Sequence, residues 1–264
     1  MNEPKPIHLI PIVSLEVEDQ MKVRELRNEA EVRRWMFTDH EISVNEHLLW
    51  ISRLKKDDSQ IVFAVLNDDR QPLGVISVTK IDRANLRAER AYYLTASARG
   101  GLGSAIEYHF LNFIFETLQI EKLNCEVLEG NEVSLNMHHK FLFVDEGFRR
   151  SEIVKHGERL GVHFVGLTRD EWLAERDTVL ERSREKIERF QVRIEWNGEG
   201  ENGVVPKAID QIEAARARNN VNWMNIMRLA LEKSPDIAVP IVSEIKKIDR
   251  EISGLTEKLE EENS

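Results

Sequence analysis

The stretch TASARGGLGSA, residues 95–105, joins a predicted strand to a predicted helix, and it is the strongest single indication of the fold. The apolar run of residues 91–94 precedes it, and apolar residues at helical spacing follow it, namely Leu102, Ile106, Phe110, Phe113, Ile114 and Leu118. Because Gly100, Gly101 and Gly103 carry no side chain, the backbone N–H groups of this turn can approach a ligand closely. The positive end of the following helix dipole favours an anion at the same place. The pattern therefore predicts a phosphate or pyrophosphate site.

Two well-known phosphate-binding patterns do not fit this turn. A P-loop requires Gly-Lys followed by Ser or Thr, and no lysine follows the glycines directly. The dinucleotide fingerprint requires the spacing G-x-G-x-x-G within a βαβ unit, and the glycines here have another spacing. A purely structural turn that tightens the junction between strand and helix is the alternative to an anion site.

Strand-like runs with β-branched and aromatic residues occur on both sides of the turn. They are IVFAVL (61–66), LGVISVTKI (73–81), ERAYYLT (89–95), KLNCEVL (122–128), FRRSEIV (148–154) and RLGVHFVGL (159–167). Ser43 and Glu46 form a capping box that opens a helix, and Asn131 can cap a second helix that reaches Phe141. This order predicts an α+β domain, residues 1–172, built on one mixed, mostly antiparallel sheet flanked by helices.

Composition and charge limit the classes of partner. The chain has 264 residues, 41% of them hydrophobic, and a net charge of −10 without a basic stripe, so we expect no nucleic-acid partner. Its single cysteine, Cys125, excludes a disulfide framework and a cysteine-rich zinc site, and we expect no metal. No run of about 18 apolar residues occurs, and the start MNEPKP does not resemble a signal peptide. We therefore expect a cytoplasmic protein that does not enter a membrane.

The chain after residue 172 has a different character. Residues 173–205 combine a charged helical pattern with the stretch WNGEGENGVV, which we interpret as a linker. Residues 206–264 predict a helical hairpin of unknown function. Its second helix carries apolar residues at alternating spacings of three and four, namely Ala238, Ile241, Ile245, Ile248, Ile252, Leu255 and Leu259. Such a seam indicates docking on the same chain or a homodimer through these helices, and a separate functional module is the alternative.

The segment NEVSLNMHHKFLFVDEGFRR, residues 131–150, extends a pattern that begins at residues 101–103, Gly-Leu-Gly. Together these segments resemble the GNAT superfamily of N-acetyltransferases, which holds the pyrophosphate of acetyl-CoA on a strand, a glycine turn and a helix. Ala98 stands where the family usually has Arg or Gln, and Leu142 stands where it usually has Gly. The resemblance implies acetyl-CoA as the co-substrate. It also implies a set of cofactor-binding residues: Leu94, Thr95, Arg99, Gly100, Gly101, Leu102, Gly103, Ser104, Asn131 and Ser134.

The segment LRNEAEVRRWMFTDHEISVNEHLLWI, residues 26–51, is similar to the opening of one GNAT branch. That branch acetylates the 4-amino group of a UDP-linked amino sugar in the biosynthesis of pseudaminic acid. A nucleotide sugar needs cations for its diphosphate and flat groups for its base. Arg27, Arg33, His47 and Trp50 are therefore the predicted substrate-binding residues. Each has a structural alternative: a solvated arginine, a buried structural histidine or a tryptophan of the core.

Acetyl transfer needs a base for the substrate ammonium, an N–H donor for the thioester carbonyl and a proton for the leaving thiolate. The resemblance implies that the backbone of the strand ending at Leu94 and Thr95 supplies the donor. Alternation along strand 122–128 allows only one of Glu126 and Glu129 to face the cleft directly. We predict Glu126 as the base, and an ion pair of Glu126 within the sheet is the alternative.

The proton for the thiolate is assigned to His138. The family usually has a tyrosine at this place, seven residues after the Asn that contacts the pantetheine arm. The spacing of Asn131, Ser134 and His138 puts all three on one face of a helix, which predicts that His138 lies near the sulfur and that His139 points away. A histidine that only caps or packs the short helix is the alternative. Cys125 is predicted to be a buried core residue.

The sequence thus predicts an N-acetyltransferase that moves an acetyl group from acetyl-CoA to the 4-amino group of a UDP-linked amino-deoxy sugar. Two alternatives remain open at this point. Other branches of the superfamily acetylate protein N-termini or polyamines. The departures at Ala98 and Leu142 are also compatible with a degenerate CoA-binding assembly module.

Overall fold

The structure, a computed structural model, describes residues 3–95, 98 and 100–196. The strands are β1 (Lys5–Pro11), β2 (Ile61–Asn67), β3 (Pro72–Asp82), β4 (Arg87–Leu94), β5 (Lys122–Leu128), β6 (Val144–Lys155), β7 (Glu158–Thr168) and β8 (Phe190–Ile194). The helices are α1 (Val17–Asn28), α2 (Ala30–Arg33), α3 (Val44–Leu54), α4 (Leu102–Asn112), α5 (Glu132–Lys140) and α6 (Arg169–Ile187). A 3₁₀ turn (Ile12–Ser14) follows β1, and a π-helix (Phe113–Thr117) extends α4.

The strands form one sheet in the order β6-β7-β5-β4-β3-β2-β1-β8. The pairs β4–β5 and β1–β8 are parallel, and the other neighbouring pairs are antiparallel. Helices cover both faces of the sheet. The predicted α+β class with a mixed, mostly antiparallel sheet is confirmed.

The sheet separates two hydrophobic cores. Strand β2 shows the reason, because residues 61–66 are all buried and alternate residues point to opposite faces. Phe63 and Val65 pack with α4, the π-helix and α6 on one side, which we call the α4 face. Val62 and Ala64 pack with α1 and α3 on the other side, which we call the α1 face. A strand buried on both sides has no polar alternation, and this explains the continuous apolar run IVFAVL.

The helix starts agree with the capping patterns in the sequence. The hydroxyl of Ser43 accepts a hydrogen bond from the Glu46 N–H, and the Glu46 carboxylate accepts one from the Ser43 N–H. Asn131 caps α5 through a bond from the Ser134 N–H to its side-chain oxygen. Each side-chain cap satisfies one of the N–H groups that a helix leaves without an intrahelical partner.

The fold continues beyond Trp172, near which the sequence predicts that the domain ends. Trp172, Val179 and Ile187 are buried, so α6 packs one narrow apolar stripe against the α4 face although the rest of the helix is charged. Strand β8 then pairs in parallel with β1, from Lys5 opposite Phe190 to Leu9 opposite Ile194. Trp172, Val179 and Ile187 are seven and eight residues apart, a sparse pattern that the sequence does not reveal because most residues of α6 are charged.

The chain divides into two compact units, Met1–Val205 and Pro206–Ser264. The second unit has the bounds of the predicted helical hairpin, but it lies outside the described residues. The Gly/Asn-rich linker after Trp196 and the predicted homodimer through the C-terminal helices fall outside them as well. These three expectations stay predictions.

Replacing Ile187 tests whether α6 belongs to the folded unit. Its side chain is only 3% exposed, so Ile187→Ala should lower the free energy of unfolding by about 2–4 kcal/mol, through lost burial and the cavity that remains. The control Glu175→Ala changes an exposed residue of the same helix and should alter it by less than about 0.5 kcal/mol. Urea unfolding of the full chain measures both. Equal stability of the two variants would contradict the packing of α6.

Candidate active site

The central feature of the site is the separation of β4 from β5. The two strands pair through three residues each, Arg87–Glu89 with Lys122–Asn124. Beyond this point β4 continues to Leu94 alongside β3, and β5 continues to Leu128 alongside β7, without further pairing between β4 and β5. We call this point the fork. The facing edges of the two strands beyond the fork are available for a ligand.

The hydrogen-bond pattern of β4 shows which backbone groups face the fork. The N–H of Thr95 donates to the carbonyl of Leu73, just past the opposed residues Gly74 and Leu94. Residues of an antiparallel strand alternate in the edge to which their N–H points. The Thr95 and Tyr93 N–H groups therefore point toward β3, whereas the Leu94 and Tyr92 N–H groups point toward the fork. Of the two predicted backbone donors, Leu94 has the orientation that a carbonyl in the fork requires.

The glycine turn, residues 100–103, leads from the fork to the N-terminus of α4. Gly100 and Gly101 have φ values of 91° and 102°, which glycine adopts without strain. Gly101 is the N-cap residue, and it has no side chain that could cap the helix start. The N–H groups of Leu102 and Gly103 lie in the first turn, where they have no intrahelical acceptor. The geometry is that of an anion site, while Arg99 lies outside the described residues.

Helix α6 brings a cation to this turn. It runs antiparallel to α4: the Trp172 indole donates to the Asn112 side chain at the end of α4 (2.9 Å), and Lys186 lies against Gly101 at the other end. A Cβ on Gly101 would be 2.9 Å from the Cβ of Lys186. The sequence prediction missed Lys186, because the residues after Trp172 were not assigned to the folded domain.

Helix α5 closes the site on the opposite side of the turn. A Cβ on Gly103 would be 2.9 Å from the terminal methyl of Met137, so the side chain of Met137 in α5 packs directly against the first turn of α4. Asn131 follows directly on the open end of β5, where its N–H donates to Leu128. The cap to Ser134 uses only the side-chain oxygen of Asn131, which leaves its NH₂ group available to a ligand.

Four side chains meet on the α4 face directly below the fork: Arg90, Glu107, Cys125 and His138, which we call the buried quartet. Arg90 binds the Glu107 carboxylate with two nitrogens, at 2.8 and 2.6 Å. The same guanidinium lies 3.1 Å from Nδ1 of His138, and Nε2 of His138 lies 3.2 Å from the Cys125 sulfur. These residues come from β4, α4, β5 and α5, so the quartet joins the four elements that surround the fork.

Burial decides the charge states within the buried quartet. Burial first, and then the nearby Arg90 cation, lower the pKa of His138 to about 2, so the ring is neutral at physiological pH. A guanidinium can only donate, so Nδ1 of His138 accepts from Arg90, and Nε2 carries the proton toward Cys125. Burial raises the pKa of Cys125 to about 12, and this thiol stays protonated. Cys125 is thus the buried core residue that the sequence predicts.

His138 therefore lies in the protein interior with both ring nitrogens engaged. It is 1% exposed, and to protonate a thiolate in the fork it would have to release one of its two contacts. Its predicted role as the acid stays a prediction, and the surroundings also allow a positioning role. His139 points away as predicted, because it is exposed and lies 3.0 Å from the Asp145 carboxylate.

The two candidate carboxylates of β5 have different surroundings. Glu126 lies on the α1 face, where its carboxylate is 3.9 Å from the Lys80 ammonium, which is itself 2.8 Å from Glu89. The predicted alternative, an ion pair within the sheet, is therefore present, but it is long and partly exposed. Glu129 instead accepts a hydrogen bond from the Gly161 N–H at 2.6 Å, which ties this carboxylate to β7. Glu129 is exposed and tied through one oxygen to β7, whereas Glu126 is half-buried and has only the long contact with Lys80, so the role of Glu126 as the base stays a prediction.

The α1 face next to the fork holds buried nitrogen atoms of three arginines and one histidine. Nitrogen atoms of Arg24 (Nε), Arg27 (Nη1), Arg33 (Nε) and His47 (Nε2) are buried there and have no hydrogen-bond partner within the described part of the chain. Burial lowers the pKa of Arg27 and of His47. Unsatisfied buried N–H groups of the three arginines are unfavourable, and an anionic ligand would satisfy them. Arg24 was missed because nothing in the sequence distinguishes it from a solvated helix residue.

The remaining predicted substrate residues also lie on this face. Arg27 is close enough to Tyr93 of β4 for each to shift the pKa of the other. Trp50 and Tyr93 pack at the edge of the α1-face core, and the rings of Trp50 and His47 are 5.3 Å apart. The structure therefore brings Arg27, His47 and Trp50 to one side of the sheet. Trp50 is half-buried, so both its roles, core anchor and base platform, remain compatible with its position.

Two sets of part-buried hydrogen bonds fix the segment between α2 and α3. The side chain of Asn28 exchanges two hydrogen bonds with the backbone of Ile42 (2.9 and 2.8 Å). Lys155, at the end of β6, donates to the carbonyls of residues 33, 34 and 36 at 2.6–2.8 Å. Lys155 is buried, and its charge is satisfied by the carbonyl oxygens at the C-terminal end of α2. Arg33 is held in this segment and also contacts Asp39 and Glu41.

A mostly antiparallel sheet whose parallel central strands separate beside a glycine turn is the architecture of CoA-dependent N-acetyltransferases of the GNAT type. The sequence profile of the Acetyltransferase (GNAT) domain family matches residues 10–144, just over half of the chain, and the protein belongs to this family. It is an N-acetyltransferase that uses acetyl-CoA as its co-substrate.

Known proteins of several acceptor classes are similar to this chain. YdaF of Bacillus subtilis, which is described as a ribosomal N-acetyltransferase, is 25% identical over 63% of this chain and 95% of its own length. Acetyltransferase PseH of Campylobacter jejuni is 27% identical over 46% of this chain and 74% of its own. A crystal structure of spermidine N-acetyltransferase from Vibrio cholerae, in complex with CoA and spermine, has a TM-score of 0.58 at 20% identity and covers 63% of this chain and 98% of its own. This last likeness concerns the fold.

Among residues 3–95, 98 and 100–196, no helix combines the length and the hydropathy that a membrane span requires. In the same part of the chain, no three His, Cys, Asp or Glu side chains are grouped where they could hold a metal ion. The cytoplasmic location stays a prediction.

The low pKa of His138 predicts a pH effect on stability. Between about pH 2 and the unfolded-state pKa of about 6.5, the folded protein binds one proton fewer at this site than the unfolded chain. Its contribution is thus complete above about pH 6.5 and is lost as the pH falls, by up to about 1.4 kcal/mol per pH unit. Urea unfolding at pH 7 and pH 5 should show a larger loss for the wild type than for His138→Gln. The same loss in both proteins would contradict the buried neutral ring.

Proposed function

We propose that the protein transfers the acetyl group of acetyl-CoA to the 4-amino group of a UDP-linked amino-deoxy sugar of the pseudaminic acid type. The observation that carries the proposal is the set of buried N–H groups of Arg24, Arg27 and Arg33 that lack partners among the described residues. A guanidinium binds a phosphate oxygen through short, charge-assisted hydrogen bonds. The diphosphate of a nucleotide sugar is an anion of this kind, and the resemblance of residues 26–51 supports the same class.

The cofactor is proposed to lie along the fork. Its pyrophosphate would meet the N–H groups of Gly101, Leu102 and Gly103 at the start of α4, with Gly100, Ser104 and Lys186 beside them. The pantetheine arm would follow the open edges of β4 and β5, where Asn131 and Ser134 begin α5. This placement is supported by the glycine N-cap of α4, which has no side chain of its own, and by the end of the β4–β5 pairing at Glu89 and Asn124.

The reaction in this arrangement is a direct transfer. The free amine attacks the thioester carbon, the C–N bond forms and the C–S bond breaks, and CoA leaves as a thiolate that takes up a proton. The Leu94 N–H is proposed to stabilise the carbonyl oxygen as it becomes negative. Glu126 is proposed to take the proton of the substrate ammonium, directly or through water, from the α1 face. His138 is the predicted source of the thiolate proton.

Polyamine acetylation is the second candidate. Glu89 and Glu126 place two carboxylates near the fork, a feature that favours a cationic acceptor, and spermidine acetyltransferases share the fold. On the same face, however, a polyamine would meet Arg24 and Arg27, and like charges in a poorly solvated site repel each other. The arginine groups therefore favour the anionic acceptor. Acetylation of a protein N-terminus has no feature of its own in this site.

The experiment that tests the proposal is a comparison of acceptors. Thiol release from acetyl-CoA is measured with the full chain against UDP-4-amino sugars, spermidine, spermine and peptides with free N-termini. The proposal expects kcat/KM for one UDP-amino sugar to exceed that for every polyamine and peptide by at least about 100-fold, since a bound diphosphate replaces about 3 kcal/mol of unsatisfied hydrogen bonding. A polyamine as the best acceptor would overturn it.

Arg27 provides a test of the acceptor site by substitution. Arg27→Gln should raise the KM for the UDP-amino sugar by about 10- to 100-fold, because a charge-assisted hydrogen bond contributes about 1.5–3 kcal/mol. The KM for acetyl-CoA should stay within twofold. The matched control Arg53→Gln removes an exposed arginine of α3 and should change neither constant. If Arg27→Gln raises the KM for acetyl-CoA instead, Arg27 contributes to the binding of the cofactor and not of the acceptor.

Lys186 provides a test of the cofactor placement. Lys186→Glu should weaken the binding of CoA, measured by calorimetry, by about five- to tenfold at low salt. The reversal changes exposed charge interactions that contribute up to about 1 kcal/mol each. The effect should shrink at 0.5 M NaCl, where ions screen exposed charges. The control Arg182→Glu, one turn earlier in α6, should weaken the binding of CoA less than Lys186→Glu does. Equal weakening by both variants would indicate that the net charge of the protein, and not a contact of Lys186, affects the binding of CoA.

A further inference from the structure

The fork coincides with the position of the His138 ring. Glu89 and Asn124 are the last residues that pair between β4 and β5, so Arg90 and Cys125 are the first residues of each strand beyond the pairing. Both side chains point to the α4 face and are buried. The imidazole of His138 lies between them, 3.1 Å from the guanidinium and 3.2 Å from the sulfur. Where the backbone pairing of β4 with β5 ends, the side chains of Arg90, His138 and Cys125 therefore connect the two strands.

We propose that His138 is a wedge that holds β4 and β5 apart and so keeps the cofactor cleft open. In this role His138 is a positioning residue: it acts on the cofactor through the two strands and does not exchange a proton with the thiol of CoA. The proposal rests on the placement of acetyl-CoA in the fork that is given above. It departs from the predicted role of His138 as the acid, and the two roles have different consequences for binding and turnover.

The chemistry of the ring fits this position. Neighbouring paired strands lie only about 4.8 Å apart, which leaves no room for a ring between their side chains at the same level. A neutral imidazole presents one acceptor and one donor at fixed positions on a rigid ring. Here the acceptor meets Arg90 and the donor meets Cys125. The two hydrogen bonds together set the distance between the first unpaired residues of the two strands.

The wedge is itself held in place. Arg90 is fixed by the two-nitrogen contact with Glu107, which anchors β4 to α4 behind the glycine turn. The ring of His138 also packs against Phe143, with centroids 4.8 Å apart, and meets the edge of Tyr92 at 6.4 Å. The guanidinium of Arg90 lies 4.7 Å from the Tyr92 ring. These contacts leave the imidazole little freedom to turn toward the fork.

The proposal predicts a loss of cofactor affinity that an acid would not cause. In His138→Ala the bridge is absent, the strands can approach, and the Kd for CoA should rise by about tenfold, as expected for a binding site that must be re-formed. The KM for acetyl-CoA should rise in parallel, while kcat changes by less than about threefold. A general acid predicts the reverse: an unchanged Kd for CoA and a kcat lowered by about 100-fold.

The experiment measures CoA binding by calorimetry with the full chain, together with kcat and KM. His138→Gln is the conservative variant, because its amide offers an acceptor and a donor, and it should restore the Kd to within about threefold of the wild type. Cys125→Ala removes the other end of the bridge and should also weaken CoA binding. The double variant should not weaken it further, because the two residues act through one contact. The control His139→Ala changes an exposed neighbour and should leave all constants unchanged.

The outcomes separate the possible failures. If His138→Ala is folded and binds CoA with the wild-type Kd, the wedge is overturned, and a fall in kcat alone assigns the acid role. If His138→Ala does not fold, the variants Cys125→Ala and His138→Gln test the wedge role instead. Wild-type affinity for CoA in Cys125→Ala overturns the wedge role, and so does weak binding of CoA by a folded His138→Gln. Failure of the proposed acceptor does not affect CoA binding. Failure of the cofactor placement would also leave Lys186→Glu with wild-type affinity.

Discussion

The separation of β4 from β5 is the constraint on which the rest of the structure depends. A sheet normally satisfies the backbone groups on both edges of a central strand, and here two central strands each give up one edge beyond Glu89 and Asn124. The other edges remain paired with β3 and β7, so the sheet stays intact on either side of the opening. The fork thereby presents backbone donors and acceptors that a CoA molecule with its amide groups can use.

The two faces of the sheet around the fork differ in electrostatics. On the α4 face, the buried charges Arg90 and Glu107 neutralise each other at short distance, and His138 is neutral. On the α1 face, guanidinium groups such as that of Arg27 are buried without a full set of partners. Arg90 also leaves its Nε without a partner, but its charge is paired with Glu107, whereas Arg24 and Arg27 form no ion pair within the described part of the chain. This difference is the physical basis for assigning the acceptor to the α1 face.

Several of the residues that surround the site left a signal in the sequence, and others did not. Arg90 stands inside the apolar run ERAYYLT, and Glu107 stands among the buried residues of α4, so each is a charge on a surface that is otherwise apolar. A charged residue in such a place needs a partner, although the sequence does not say which. Lys155 and Lys186 had no such signal. Their importance comes only from the segments that they contact, which are distant in the sequence.

The sequence by itself determined strands β2 to β7, the helix caps and the glycine turn, because alternation, capping and backbone freedom are local properties of the chain, but it did not indicate β1. It also determined the family, since the Gly-Leu-Gly turn and the segment that begins at Asn131 together match the pattern of the family. Only the tertiary structure decided the surroundings of His138, the use of Glu129 as a tie to Gly161 and the addition of α6 and β8 to the fold. Each of these depends on contacts between residues far apart in the chain, and on the depth at which a side chain is buried. A spacing rule gives the direction of His138 on its helix, but only packing decides whether that direction leads to a cleft or to the interior.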